Sequence, residues 1–514
     1  MKKIKVLLSV LFAFVLTFTL VGCSLSINSG NEYVEETISD YASAQELIEM
    51  AKKNTKKESG TVEVINKGTP NFNVPAGGYD GSEVTIVFYH TMGSNLSDVL
   101  HLYIEDFNAI YPNIHIDDQQ VGGYDDVRNT ISLNITVGAQ PNIAYCYPDH
   151  VAVYNLANAV AHLDNLIDST ESDGNGGIIG LTQEQKDNFI EGYYNEGKQF
   201  GDGLMYTMPF SKSTEVLYYN KTFFTEHSIP VPDHWFSTDE NDTTSMEAVC
   251  KKILEADPNC IPLGYDSEAN WFITMCEQIG TDYTSADPSN HFLFDNKYNK
   301  GFVKIFRDWF KKGYVTTQQL QGKYTSALFT AEKGTKSYMS IGSSAGATHQ
   351  RPSKIDGTDT YPFEVGIVSI PQMNAENPRV ISQGPSVCIF AKENPQEVIA
   401  SWLFVKFLTT SVEFQAEFSM VSGYVPVLKN VSSNAVYKAF LDNADGYEYI
   451  AALSAKVCLE QQEAYYTSPA FNGSSKARDQ VGLLISTIFS NDPKNLKEFI
   501  DDKFAKAVKT CKQG

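Results

Sequence analysis

None of the eight cysteines in the chain stands in a C-x-x-C pair, so zinc ribbons and dithiol redox chemistry have no ligand or thiol set to use. Phosphate-loop and dinucleotide fingerprints are absent, as is H-E-x-x-H, which removes three common catalytic scaffolds. Positive charge is scarce. The only arginines are Arg128, Arg307, Arg351, Arg379 and Arg478, and the net charge is −22. That field repels nucleic acid and anionic head groups, so no nucleic-acid partner is expected, and any anionic ligand would need a local cation. After the N-terminus no apolar stretch approaches the roughly 20 residues of a spanning helix. No internal repeat and no heptad pattern is visible.

The first residues are of another kind. Lys2, Lys3 and Lys5 precede an uncharged apolar run from Val6 to Leu20, then Leu20-Val21-Gly22-Cys23. The run is too short to span a bilayer and reads as a cleaved export signal over 1–22. Its ending looks like a bacterial lipoprotein box, with Cys23 lipidated as the new N-terminus. Two or more acyl chains would hold the protein on the extracellular face of the cytoplasmic membrane. Residues 23–81 are polar and rich in Gly, Asn, Lys and Glu, with a weak helical pattern only at Ala42–Lys53. They read as a lipidated flexible tether. The remaining cysteines read as small buried hydrophobes, although Cys250 is close enough in sequence to Cys260, or to Cys276, to bridge.

The length of 514 residues allows two domains, each with its own core. Val84–Tyr89 is a β-rich run. It is followed by Leu96, Val99, Leu100, Tyr103, Ile104, Phe107 and Ile110 at helical spacing, stopped by Pro112. A strand at Ile114–Ile116, a helix over Asp126–Gly138 and a strand over Asn142–Tyr147 continue the alternation expected of a parallel sheet. Ser337–Ile341 and Ser386–Ala391 are strand-like, and Phe302–Phe310 is an amphipathic helix. Asn394-Pro395-Gln396-Glu397 supplies an N-cap, a proline at the first helical position and an N3 glutamate.

These residues resemble the extracellular solute-binding proteins of ABC importers, in the maltose and glycerol-3-phosphate-binding branch, over about Val84 to Val508. The clearest stretches are Phe88-Tyr89-His90-Thr91-Met92-Gly93, Phe107-Asn108-Ala109-Ile110-Tyr111-Pro112, Met208-Pro209-Phe210 with Leu217–Lys221, and Ser422-Gly423-Tyr424-Val425-Pro426-Val427. The resemblance implies a two-lobed α/β fold, periplasmic-binding-protein-like of type II, each lobe a mainly parallel sheet flanked by helices. Crossings are expected near Phe210–Val216, Ser337–Ile341 and Gly423–Val427. Residues 82–210 with 340–423 would form the first lobe, and 215–337 with 428–514 the second. Such a monomer would close on a small solute and hand it to an ABC permease. A ligand-sensing or adhesin lipoprotein of the same fold, or a surface hydrolase, is the alternative.

By position within matching motifs, the resemblance implies ligand contacts at Tyr124, Asp149, Ser213, Trp271, Ser343 or Ser344, Gly384, Tyr424 and Arg478. Arg478 suits a phosphate. Trp271 matches one of two neighbouring tryptophans in the glycerol-3-phosphate-binding members, and Gly264–Asn270 holds no second one, which leaves sugars open. Four of these residues also have a plain structural reading: core packing for Trp271, a loop tyrosine over the core for Tyr424, a partner in Asp479 or a surface carboxylate for Arg478, and an N-cap for Asp149.

Two motif matches fail on inspection. Gly342-Ser343-Ser344-Ala345-Gly346 fits G-x-S-x-G, but the only later histidine is His349, with no acid between. The hydrolase order of serine, acid, histidine cannot be built from it, so no catalytic residue is expected. Asp164–Gly177 resembles a cation loop, yet the glutamate six residues after its glycine is missing, so neither metal nor cofactor is expected.

Overall fold

The computed structural model describes residues 33–54, 64–444 and 450–513. The export signal and Cys23 lie outside the described residues. The strands, in chain order, are β1 (Val84–His90), β2 (Ile114–Gln120), β3 (Ile143–Cys146), β4 (Met208–Pro209), β5 (Glu215–Asn220), β6 (Leu263–Tyr265), β7 (Val315–Thr317), β8 (Met339–Ser343), β9 (Val365–Ser369), β10 (Val380–Ile381), β11 (Ser386–Ile389) and β12 (Tyr465–Tyr466). They form two five-stranded sheets of order β2-β1-β3-β11-β4 and β7-β6-β8-β5-β9, with a two-stranded ribbon, β10-β12.

In β1 the residues Val84, Ile86, Phe88 and His90 are buried and the alternate ones are not, so a period-2 pattern made the strand legible. The helix Ser94–Ile110 buries Leu100, Tyr103, Ile104 and Phe107 on one stripe and ends at Tyr111, before Pro112. Four strands of each sheet share one direction, and one runs against them: β11 in the first sheet, β5 in the second. Both reversed strands receive the chain from the other sheet. Residues 210–214 carry it from β4 to β5, and residues 370–385 carry it from β9 to β11.

The crossing segments run side by side. Lys212 bridges to Val425 and Ser213 to Gln383, both antiparallel. The segment expected to cross near Gly423–Val427 therefore touches the crossing over residues 210–214, but the one expected at Ser337–Ile341 does not. Met339–Ser343 is the middle strand of the second sheet, between β6 and β5. Residues 340–369, expected in the first lobe, thus carry β8 and β9 of the second sheet, whereas 428–430, expected at the start of the second lobe's last part, pair with 188–189. An extended apolar run reads alike as a strand or a crossing. Its partners decide which it is, and they are distant in sequence.

The expected tether over 23–81 is also corrected within its described part. The helix Ala44–Lys53 starts with a Ser43/Glu46 capping box and buries Leu47 and Ala51 completely. It packs on the helices Glu268–Ile279 and Lys297–Lys311. Residues 64–81 lie on the other sheet's side of the molecule: Gly68 N donates to Asp202 O (2.9 Å), Asn71 Nδ2 to Val160 O (2.8 Å) and Tyr79 N to Ser172 O (3.0 Å). Amide and backbone hydrogen bonds dock this segment, and hydrophobic periodicity carries no signal for them.

Cys146, Cys250, Cys260, Cys276, Cys388, Cys458 and Cys511 are free and buried. In the acidic loop, Asp173 accepts from Asn175 N and Gly177 N (both 2.8 Å), so that turn is closed by its own backbone. Among the described residues no cluster of His, Cys, Asp and Glu could hold a metal ion, and no helix is long and apolar enough to cross a membrane.

Candidate functional site

A cavity of about 1270 Å³ opens where strands end and helices begin. The segments after β3 and β6 carry Tyr147–His150 and Asp266, Ser267 and Asn270 into it, and Ser343 ends β8 there. The helices Tyr124–Ile135, Pro148–Tyr154, Glu268–Ile279 and Ser474–Ser490 all point their first turns at the space. Carboxyl ends of strands with free helix N–H groups beyond them are the usual ligand-facing edge of an α/β sheet.

Four residues expected from the sequence line this cavity: Tyr124, Asp149, Ser343 and Arg478. Tyr124 packs its ring 4.7 Å from that of Tyr147. Tyr424 is not on the wall; its phenol faces that of Tyr124, and burial pushes both phenols above the ordinary tyrosine range. Ser213 and Gly384 lie in the crossing segments beside the cavity, and Ser344 follows β8 next to them. Ser213 pairs its backbone with Gln383, and Ser344 Oγ accepts from Thr214 N (3.2 Å). Gly384 has φ +87°, and a Cβ there would stand 2.6 Å from Ser211 O. These three support the crossing rather than the wall.

Trp271, expected as a stacking platform, is instead fully buried in an aromatic stack, 4.1 Å from Phe306 and 4.8 Å from Tyr265. The reason is helical phase. Ser267 caps the helix, Asn270 in its first turn meets the cavity, and a further 100° of rotation turns Trp271 inward with Met275 and Ile279.

The wall is acidic. Asp125, Asp126, Asp149, Glu196, Glu215, Asp266 and Asp479 line it, against two guanidinium groups. Both of those are engaged: Arg128 pairs with Asp125 (3.2 Å) and donates to Ser475 Oγ (3.0 Å), and Arg478 donates to Asn270 Oδ1. Glu196 is buried in an ion pair with Lys212, whose ammonium also donates to Ser386 Oγ (2.9 Å) and Gly384 O (3.2 Å). Burial pushes the Glu196 carboxyl up, and the Lys212 charge opposes it.

Glu215 is buried at the inner wall and accepts from Tyr265 Oη (2.6 Å) and Asn270 Nδ2 (2.9 Å). Burial outweighs these bonds and raises its carboxyl from the ordinary 4.5 to about 7. The folded chain therefore keeps this proton in a window where the unfolded chain has lost it, so stability falls as pH rises from about 4.5 to about 7. Glu215→Gln is expected to melt with the wild type at about pH 4.5 and to exceed it by about 3 kcal/mol above pH 7. Parallel thermal melts across pH check this; a constant difference would contradict it.

Sequence reasoning missed the cavity's unpartnered polar atoms. His150 Nδ1, Thr284 Oγ1, Gln350 Oε1, Ser382 Oγ and Thr467 Oγ1 are buried without a hydrogen-bond partner in the protein, and their residues line the cavity. Buried polar atoms are almost always satisfied by protein or by ordered water, so these residues bring unused hydrogen-bonding capacity to the wall. Ser382 and Thr467 are neighbours because Ser382 N donates to Tyr466 O (2.8 Å) where β10 and β12 end. Burial also lowers the His150 pKa, which favours a neutral ring. Isolated Ser, Thr and Gln residues carry no motif, so nothing short of the fold could have gathered them.

Known proteins share both the sequence pattern and the architecture. Over 354 residues the chain is 22% identical to the sn-glycerol-3-phosphate-binding periplasmic protein UgpB of Yersinia pestis (strain Antiqua), covering 66% of this chain and 74% of that one. The cyclic α-maltosyl-1,6-maltose binding protein of Arthrobacter globiformis superposes with a TM-score of 0.62 at 17% identity, over 84% of this chain and all of that one. UgpB of Mycobacterium tuberculosis, solved with glycerophosphocholine, does so with a TM-score of 0.62 at 16% identity, over 84% of this chain and 98% of that one. These likenesses make the fold a two-lobed, type II binding-protein fold. With residues 103–444 also matching the model for bacterial extracellular solute-binding proteins, the chain belongs to that family.

Proposed function

We propose that the protein captures a neutral, polyhydroxylated solute of oligosaccharide size outside the cell and delivers it to an ABC permease, held to the membrane through acyl chains on Cys23. The lobes follow the two sheets, hinged at residues 210–214 and at the chain that pairs with them around Gln383 and Val425. Closure is driven by contacts that a solute makes with both lobes at once.

The observation that carries this reading is the wall itself: buried hydroxyl, amide and imidazole atoms without partners, set among carboxylates. Sugar hydroxyls both donate and accept, so they satisfy such a set. A phosphate ester meets a wall on which acidic side chains outnumber the two arginines, and both arginines already have partners. At about 1270 Å³ the cavity also exceeds the range of roughly 300–1,000 Å³ typical for small ligands, which suits several sugar rings. A glycerol-phosphate compound is the second reading. Relatives named for sn-glycerol-3-phosphate and the position of Arg478 on the wall favour it.

Calorimetry and thermal melts with maltotriose, maltotetraose, sn-glycerol-3-phosphate and glycerophosphocholine separate the two. An oligosaccharide at a hundred times its Kd is expected to stabilise the fold by about 2.7 kcal/mol, with no response to the phosphate esters. Stabilisation by a phosphate ester alone would reverse the choice.

A further inference from the structure

We infer that Glu215 is a positioning residue for Arg478: through the Asn270 side chain it fixes the guanidinium on the cavity wall. The inference rests on reading that cavity as the solute site, and it concerns what holds the wall in shape. A side-chain amide offers two donors on nitrogen and an acceptor on oxygen, and it lies one of two ways round. Asn270 gives its Nδ2 to Glu215 Oε1 (2.9 Å), which leaves Oδ1 to accept from Arg478. Turned over, the amide would present donors to a guanidinium that has only donors, and Arg478 would lose this anchor.

The carboxylate therefore decides the amide's orientation, and the amide decides the arginine's. Asn270 N donates to Ser267 Oγ (3.2 Å), so the backbone at this point is capped and firm. Glu215 is held in turn by Tyr265 Oη at 2.6 Å, and the Tyr265 ring lies 4.8 Å from Trp271 with 13° between planes. The buried tryptophan thus backs the tyrosine that aims the glutamate.

Five groups face the Glu215 carboxyl: the phenols of Tyr265 and Tyr466, the Asn270 amide, the Arg478 guanidinium and the Asp266 carboxylate. Gln461 Nε2 meets only its backbone carbonyl, at 3.4 Å. The ionised carboxylate grips the amide with a charge-assisted bond; the protonated acid holds it with a neutral one, about half as strong. Since burial holds the carboxyl near 7, the change falls within the neutral range.

Calorimetric titration of maltotriose from about pH 5.5 to about pH 8.5 tests the chain of contacts in the full-length protein. Wild-type affinity is expected to rise about tenfold with a midpoint near pH 7, the difference between a charged and a neutral hydrogen bond. Glu215→Gln should stay at the weaker level at every pH. Tyr265→Phe removes a donor that favours the ionised carboxylate, so its midpoint should move up. A flat wild-type profile, or an unchanged one in Glu215→Gln, overturns the assignment.

If maltotriose does not bind, the choice of solute is at fault, and a ligand-free measurement decides the positioning role. The melting shifts of Glu215→Gln and Arg478→Met should fail to sum in the double variant, by more at about pH 8 than at about pH 5. Additive shifts at both would sink it.

Discussion

Lys212→Ala should lower the free energy of unfolding by about 3–5 kcal/mol, the cost of leaving one member of a buried ion pair alone. Lys212 is fully buried, and so, within 2%, is Glu196. The lysine sits at the midpoint of the crossing that leads from β4 to β5. Its ammonium holds three things: the Glu196 carboxylate, the Gly384 carbonyl at 3.2 Å and the Ser386 hydroxyl at 2.9 Å. Removing it orphans all three at the place where the crossing strands meet. Urea unfolding followed by fluorescence gives the number.

The partner variant separates charge from packing. Lys212→Met with Glu196→Leu removes both charges and keeps volume, so the double variant is expected to recover most of the loss. A loss below about 1 kcal/mol for Lys212→Ala would mean that water reaches the pair.

Trp271→Ala is the second large effect, about 3–5 kcal/mol of lost stability from the transfer and cavity terms together. The indole lies between Phe306 and Tyr265, with Trp235 and Phe489 each 6.1 Å away, so nothing nearby can collapse into the gap. Trp271→Phe keeps an aromatic ring there and should cost far less. That conservative variant tells a core role from a platform role: solute affinity by calorimetry is expected to stay within a few-fold of wild type. Loss of binding in a well-folded Trp271→Phe would return the residue to the site.

Local features were legible where neighbours in sequence are also neighbours in space. The helix Pro395–Thr410 starts where its signals place it: Asn394 Oδ1 accepts from Gln396 N (3.0 Å), and Pro395 occupies the first turn. Glu397, which reads as the third position of a cap, instead takes a bond from Asn142 Nδ2 (3.0 Å), far away in sequence. The same limit applies to the segment before Val84. Ala44–Lys53 shows only a weak apolar stripe, yet it is anchored at its ends by Ala42 N to Lys297 O (3.1 Å) and Asn54 Nδ2 to Glu277 O (2.8 Å). No pattern within the helix announces those partners.

The alternation of strands and helices, the acidic character of the molecule and the family follow from order and composition along the chain, because period and charge are properties of neighbours. Which run becomes a crossing and which a central strand, which way Trp271 faces, and which hydroxyls are left without partners at the wall depend on pairings between residues far apart in the chain. Those pairings exist only once backbone groups from distant segments have satisfied one another, so a linear reading of residues could name the parts of the cavity but not assemble it.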